Sequence, residues 1–459
     1  MLNSNTPVGN SQQREAVAVR ETLPTREDDA ASVGTRTVPD ASTGHSHTNL
    51  GLVPEDWDNR RLRNDISLLS GHHVLARHCN TQGVGIPYLT GPADFPNGRI
   101  NHTSYTVQPT TLCSANDILV TVKGAGAGTL IQADSEYCIS RQLMAIRPAN
   151  WNTEFLYYSL LQNAPRFKAA STGLIPGLSR ADILDQQLPV PRDLGEQRAI
   201  AEALSDVDGL LESLDTLIAK KRAIKRAVMQ QLLTGKIRIK EVCGSKDVPT
   251  GYKRTEVGMM PEDWEVTPLR SCLCAALDYG VNAAAVPFDD ELPTYLRITD
   301  IDEESRYRPS PRVSVDHPDS DSYVLSKGDL VFARTGASVG KSYLHDPADG
   351  ALVFAGFLIR ARPEPAKLDS TYCAYVVQSE RYWKWVAAMS SRSGQPGING
   401  QEYGSFPLPL PKIREQRAIA AALSDMDAEI VRLESHRSKT LAIKQGMMQQ
   451  LLTGRVRLV

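Results

Sequence analysis

Two stretches of the chain carry an apolar stripe at helical spacing. In the first, Ile200, Leu204, Val207, Leu211, Leu214 and Ile218 recur in steps of four, three, four, three and four, the seam of a helix packed lengthwise on another. The second places Ile419, Leu423, Met426, Ile430 and Leu433 in the same way. The first stripe blurs at Lys220-Lys221-Arg222 and resumes at Ile224, Val228 and Leu232. Pro191 precedes the first helix, and Asp193 with Glu196 three residues on forms a capping-box pattern. Gly235 and Gly454, each after Leu-Leu-Thr, are helix stops. Each helix then runs about 40 residues, roughly 60 Å at 1.5 Å per residue. A lone helix of that length cannot bury its stripe, so the spacing predicts that the two pack on each other as a long two-helix spacer.

The two stripes belong to a repeat. Residues 196–240 align without gaps to residues 415–459, with 24 of 45 positions identical and an offset of 219 residues. That offset is far too long for a solenoid, so a large unit is duplicated. The duplication reaches upstream through shorter matches. Val53-Pro54-Glu55-Asp56-Trp57 answers to Met260-Pro261-Glu262-Asp263-Trp264, and Asp117–Gly124 answers to Asp329–Gly336. Gly173–Gly177 resembles Gly394–Gly397, and Leu188–Pro191 matches Leu408–Pro411.

Between these framework points lie short apolar runs broken by Gly, Pro, Asn and Asp. Ile118–Val122, Leu330–Ala333 and Leu352–Phe354 read as strands, and Trp151–Phe167 and Ser370–Met389 as helices. The fold class is therefore mixed α/β: two globular domains separated by two long helices, with a pseudo-twofold duplication. The expected boundaries are a disordered tail over 1–48, a first domain over 49–193, a helix and linker over 194–253, a second domain over 254–411 and a second helix over 412–459.

Composition narrows the function classes. Of 459 residues, 51 are Lys or Arg and 53 Asp or Glu, a net charge of −2, which excludes a broadly basic coat for nucleic acid. No apolar run is long enough to span a membrane, and the N-terminus lacks the apolar core of a secretory signal. Seven scattered cysteines suit reduced thiols and a cytoplasmic location. Cys272 and Cys274 form a C-x-C without a second pair at zinc-finger spacing. Gly124, Gly126 and Gly128 are out of register for a dinucleotide loop, and Thr335–Ser342 is one residue short of a P-loop. A backbone nest for phosphate at these glycines stays open beside a plain strand turn. No metal cluster or nucleophile–base motif stands out, which argues against an enzyme.

The repeated EQRAIA…LSDxD…MMQQLLTG helices, the Pro-Glu-Asp-Trp openings and the strand before Arg334-Thr335-Gly336 resemble the specificity subunit of type I restriction–modification systems over roughly residues 50–459. The resemblance implies two target recognition domains, each reading one half of a split site in double-stranded DNA. It implies that the two long helices form an antiparallel pair that sets the spacer and docks modification (methyltransferase) subunits. Restriction (translocase/nuclease) subunits would join them. S-adenosylmethionine, ATP and Mg would serve those partners, with no cofactor, metal or catalytic residue in this chain. A scaffold of the same fold that has lost DNA readout is the alternative.

Candidate base readers follow from the matched segments. Lys123, Arg334 and Thr335 sit at the strand-end glycine turns, with Lys341 just beyond. Ser171, Thr172, Arg392 and Gln395 flank the matched Gly-Pro-Gly turns, and Tyr88, Arg297 and Thr299 lie in comparable early segments. Charge sits awkwardly with that role. Residues 49–193 hold 12 basic and 12 acidic residues, whereas 255–411 hold 14 against 22, although phosphate neutralisation normally supplies much of the affinity for DNA. The second domain is thus expected to gather its arginines on one face or to leave backbone contacts to a partner.

Overall fold

A computed structural model describes residues 45–48, 51–124, 126–170, 177–239, 251–391 and 396–458. The chain divides into two compact units, Met1–Ala203 with Met447–Val459, and Leu204–Gly446. The last residues of the chain thus belong with the first unit. Of the expected tail, only His45–Thr48 is described, as a strand antiparallel to Gly51–Pro54.

In the first unit a four-stranded antiparallel sheet runs in the order Leu130–Gln132, Ile118–Thr121, Leu143–Pro148, Ile66–Ser70. A second sheet of five short strands contains Ile86–Leu89 parallel to Tyr137–Ile139. Trp57–Arg61 pairs with Gln187–Pro191 and closes the domain where its chain enters and leaves. All four residues of Ile118–Thr121 are buried, which explains a continuous apolar run rather than an alternating one.

The second unit repeats this plan with its own residues. Its four-stranded sheet runs Asp278–Tyr279, Leu358–Ala361, Leu330–Ala333, Ser342–Leu344. A second sheet sets Thr294–Leu296 parallel to Leu352–Phe354, and Glu265–Pro268 pairs with Pro407–Leu410. The helical stretch expected at Trp151–Phe167 is two helices, Thr153–Gln162 and Ala164–Ala170. That at Ser370–Met389 is Ser370–Val376 and Glu380–Ser390, interrupted where Ser379 caps the latter. Asn152 and Asp369 cap matched helices, each accepting from the backbone N–H three residues on.

The long helices are Leu194–Leu233 and Ile413–Leu451. Asp193 accepts from the Gly195 N–H at 2.9 Å. Glu196 does not complete the capping box; its carboxylate accepts instead from the Trp57 indole at 3.2 Å. Within the second unit the two helices run antiparallel, stitched by Lys225–Asp427, Lys444–Asp208 and Lys221–Glu429, each at 2.6 Å. Arg437 pairs with Asp215 as well. Of the expected seam, Ile200, Leu204, Leu211, Leu214, Ile218, Ile419, Leu423 and Ile430 are buried, and Val207, Met426 and Leu433 partly so. Ile419 and Leu423 join one core with Leu232, Leu233, Trp264 and Tyr372, so they serve the globular domain too. Ile224 departs from the expected seam: it is exposed, and Lys225 next to it faces the partner helix.

Candidate nucleic-acid interface

The repeated framework residues build one clamp twice. In the second unit, Arg238 donates to both oxygens of Asp263 (3.0 and 2.8 Å) and to both of Glu415. The Trp264 indole donates to the same Glu415 at 3.2 Å. In the first unit Arg457 holds Asp56 and Glu196 in the same geometry, with Trp57 donating to Glu196. Pro54 and Pro261 lie against the helix stops: a Cβ on Gly454 or Gly235 would come within 2.4 Å of those rings. Gln197 and Gln416 add a matched pair of bonds, each accepting from a domain N–H at 2.9 Å (Asn152 and Asp369) and donating to the proline before its helix. These contacts account for the identity of Glu-Gln, of the Pro, Asp and Trp of Pro-Glu-Asp-Trp, and of the C-terminal arginine in both copies. Asp263 is held below the usual carboxylate range by its hydrogen bonds from Arg238.

Above this frame, the strands Ile118–Thr121 and Leu330–Ala333 end in the glycine turns. Gly124 and Gly336 adopt φ of 87° and 73°, conformations that suit glycine. Lys123 bridges to Gly177 and Thr335 to Gly397, tying each strand end to the segment before the next short helix. Lys123 is exposed, and among the described residues it makes no ion pair. The Arg334 guanidinium stacks 4.9 Å above the Tyr279 ring. Several amides of these turns are engaged within the chain. Ala127, Gly128 and Thr129 donate to Gly124, Thr121 and Gly126, while Gly336, Val339 and Gly340 donate to Pro396, Gly336 and Ala333.

Several candidate readers stand elsewhere. Tyr88 is only 5% exposed, packs with Val74 and Cys138, and accepts from the Val74 N–H; burial pushes its hydroxyl pKa up. It is a core residue, corrected from a DNA-facing one. Arg297 is likewise structural. It closes on buried Asp300 at 2.7 Å and donates to the Pro311 carbonyl. Lys341 is occupied by Glu303 at 2.7 Å. Thr299 is exposed beside Asp300. Ser171, Thr172, Arg392 and Gln395 lie outside the described residues.

The acidic excess of the second domain is partly accounted for. Arg306 pairs with Asp302, Glu304 and Glu434, and Arg308 approaches Asp302. These arginines are therefore not gathered as a free basic face. Among the described residues no group of three His, Cys, Asp or Glu is placed to hold a metal. No described helix is long and apolar enough to cross a membrane.

The fold and its repeated clamp define a class: a duplicated protein that presents two versions of one α/β recognition domain, each locked to long helices. Residues 54–220 and 314–442, more than half of the chain, match the family model of the type I restriction modification DNA specificity domain, and the chain belongs to that family. It is 24% identical over 421 residues to the type I restriction enzyme MjaVIII specificity subunit of Methanocaldococcus jannaschii, covering 88% of this chain and 94% of that protein. It is 21% identical over 424 residues to the Escherichia coli EcoDI specificity subunit, covering 88% of each. The crystal structure of the S subunit of a type I restriction–modification system from M. genitalium superposes with a TM-score of 0.55 at 16% identity. That match covers 86% of this chain and 96% of that one and supports the fold.

Proposed function

We propose that this chain is the DNA-reading subunit of a type I restriction–modification complex, each recognition domain taking one half of a bipartite site in double-stranded DNA. The observation that carries the reading is one domain plan built twice on one clamp with different residues above it. A quasi-twofold reader of two unlike half-sites needs that arrangement. A scaffold that has lost readout is not favoured by the family match. Catalysis belongs to the partners: adenine methylation with S-adenosylmethionine to the modification subunits, and ATP- and Mg-dependent translocation and cleavage to the restriction subunits. The reading places the complex in the cytoplasm, which the free cysteines suit. Exchanging residues 254–411 for another recognition domain should change one half of the methylated motif and leave the other half intact. Sequencing the methylated adenines in host DNA tests this, and a swap that altered both halves would contradict it.

The modification subunits are proposed to dock on the helices. Leu210, Leu217 and Ile224, seven residues apart, are 43%, 38% and 41% exposed, a second apolar stripe away from the seam. Ile443, the repeat-mate of Ile224, is 59% exposed. Ile224 and Ile443 are identical in the two copies, whereas Leu210 and Leu217 align with Glu429 and His436, so the shared isoleucine suits a partner that binds twice and the leucines extend the patch on the first helix only. Leu217→Glu with Ile224→Glu should weaken co-purification of the modification subunit at least tenfold. Thermal unfolding of the chain should be unchanged.

A further inference from the structure

One exposed turn occurs in both domains on the same backbone frame. In the first domain, Ser140–Leu143 closes with the Leu143 N–H on the Ser140 carbonyl (2.9 Å); in the second, Ala355–Leu358 closes with Leu358 on Ala355 (2.8 Å). The flanking bonds correspond one for one. Val122 donates to Gln142 at 2.8 Å and Arg334 to Phe357 at 3.0 Å. Ser140 donates to Leu89 and Ala355 to Leu296. Gly71 donates to Leu143 and Gly280 to Leu358. The two glycines leave no slack: a Cβ on Gly71 would lie 2.1 Å from the Ser140 carbonyl oxygen, and one on Gly280 2.2 Å from that of Phe354. The backbone of the turn is therefore held in one shape in both domains.

The side chains at its tip differ. The first domain presents Arg141 and Gln142, both exposed. The second presents Gly356 and Phe357, the latter 57% exposed. Extending the pairing of Leu143 with Thr121 sets Arg141 opposite Lys123. Extending that of Leu358 with Ala333 sets Phe357 opposite Arg334, over its Tyr279 ring. Among the described residues, Arg141, Lys123 and Arg334 enter no ion pair, unlike Arg297, Arg306, Arg360 and Arg362 of the second domain. Each turn thus offers a base-sized tip beside an uncompensated positive charge.

We propose that these two turns read base edges in the major groove, through Arg141 and Gln142 in one half-site and Phe357 in the other. The inference rests on the DNA-specificity reading above and names the readers within it. Arginine pairs in bidentate fashion with guanine and glutamine with adenine, whereas phenylalanine has only apolar contact to offer and suits the thymine methyl. The first turn therefore selects purines and the second thymine. A fixed turn with interchangeable tips also lets two copies of one domain read unlike sequences.

The test is selection from a random duplex library by the full chain with its modification subunits. Wild type comes first: if it selects no motif, the DNA-specificity reading fails and this inference with it. Given a wild-type motif, Arg141→Ala with Gln142→Ala should cut discrimination at purine positions of one half-site at least fivefold, roughly the effect of losing a bidentate pair. The other half-site should stay within twofold. Phe357→Ala should act on the other half-site alone, at thymine, and Phe357→Gln should shift that preference toward adenine. Arg141→Lys and Phe357→Leu provide conservative replacements should an alanine variant fold poorly. Folded variants that select the wild-type motif unchanged overturn the assignment while leaving the specificity reading in place.

Discussion

Arg238→Ala should destabilise the unit Leu204–Gly446 by about 3–5 kcal/mol, the cost of breaking a buried pair and stranding its partner. The Glu415 side chain is only 5% exposed and faces Arg238 and the Trp264 indole. Without the guanidinium its charge has one neutral donor left. The Asp263 pair goes at the same time. Arg437→Ala is the control. It removes a cross-helix pair whose two side chains are 40% and 48% exposed, and should cost under about 1 kcal/mol because solvent screens it. Urea titration followed by tryptophan fluorescence separates the two. The acid limb gives a second readout. Hydrogen bonding from Arg238 depresses the Asp263 pKa, so this contribution is fully present above the unfolded carboxylate value of about 4 and is lost as pH falls through the lower folded value. In Arg238→Ala that part of the acid dependence should vanish.

The framework was legible because its residues are fixed by contacts they can make in only one way. Gly235 and Gly454 cannot carry a Cβ against Pro261 and Pro54, and Glu196 and Glu415 must meet both an arginine and an indole. Such constraints leave the same letters in both copies, and alignment finds them. The recognition face obeys the opposite rule. Arg141-Gln142 and Gly356-Phe357 share no letter, and their equivalence emerges only from the strand hydrogen bonds around them. Misplaced candidates fail for a related reason. Sequence position placed Tyr88 and Arg297 near the right strands but could not say which way they point. For Arg297 a signal existed: Asp300, three residues on, is the carboxylate that captures it. Ile224 misled because it is the apolar residue nearest the interrupted stripe, whereas the three-and-four spacing from Ile218 runs through position 221 to Lys225, which carries the contact to Asp427.

Lengthening the helix pair should lengthen the DNA spacer, provided both helices are lengthened together. The stripe weakens at Lys220-Lys221-Arg222, which marks that point as tolerant of an insertion. The cross-helix pairs change the design. From Asp208 to Asp215 to Lys225 along the first helix, the partners step back equally from Lys444 to Arg437 to Asp427. Lys221 and Arg222 are themselves tied to Glu429 and Glu434. Four residues added to one helix alone slide every later pair by about 6 Å and should abolish assembly or activity. Four residues after Arg222 and four after Glu429, the opposite point in this register, keep Asp208–Lys444, Asp215–Arg437 and Lys225–Asp427 and part only Lys221 from Glu429 among the cross-helix pairs named. The added length is near one turn, which leaves the seam close to phase with some local unwinding. Since DNA advances about 3.4 Å per base pair, an added 6 Å or so corresponds to a spacer longer by about one to two base pairs between unchanged half-sites. Sequencing the methylated adenines in host DNA reads this directly. An active double-insertion variant that still methylates the original motif, spacer unchanged, would show that the helices do not act as the ruler.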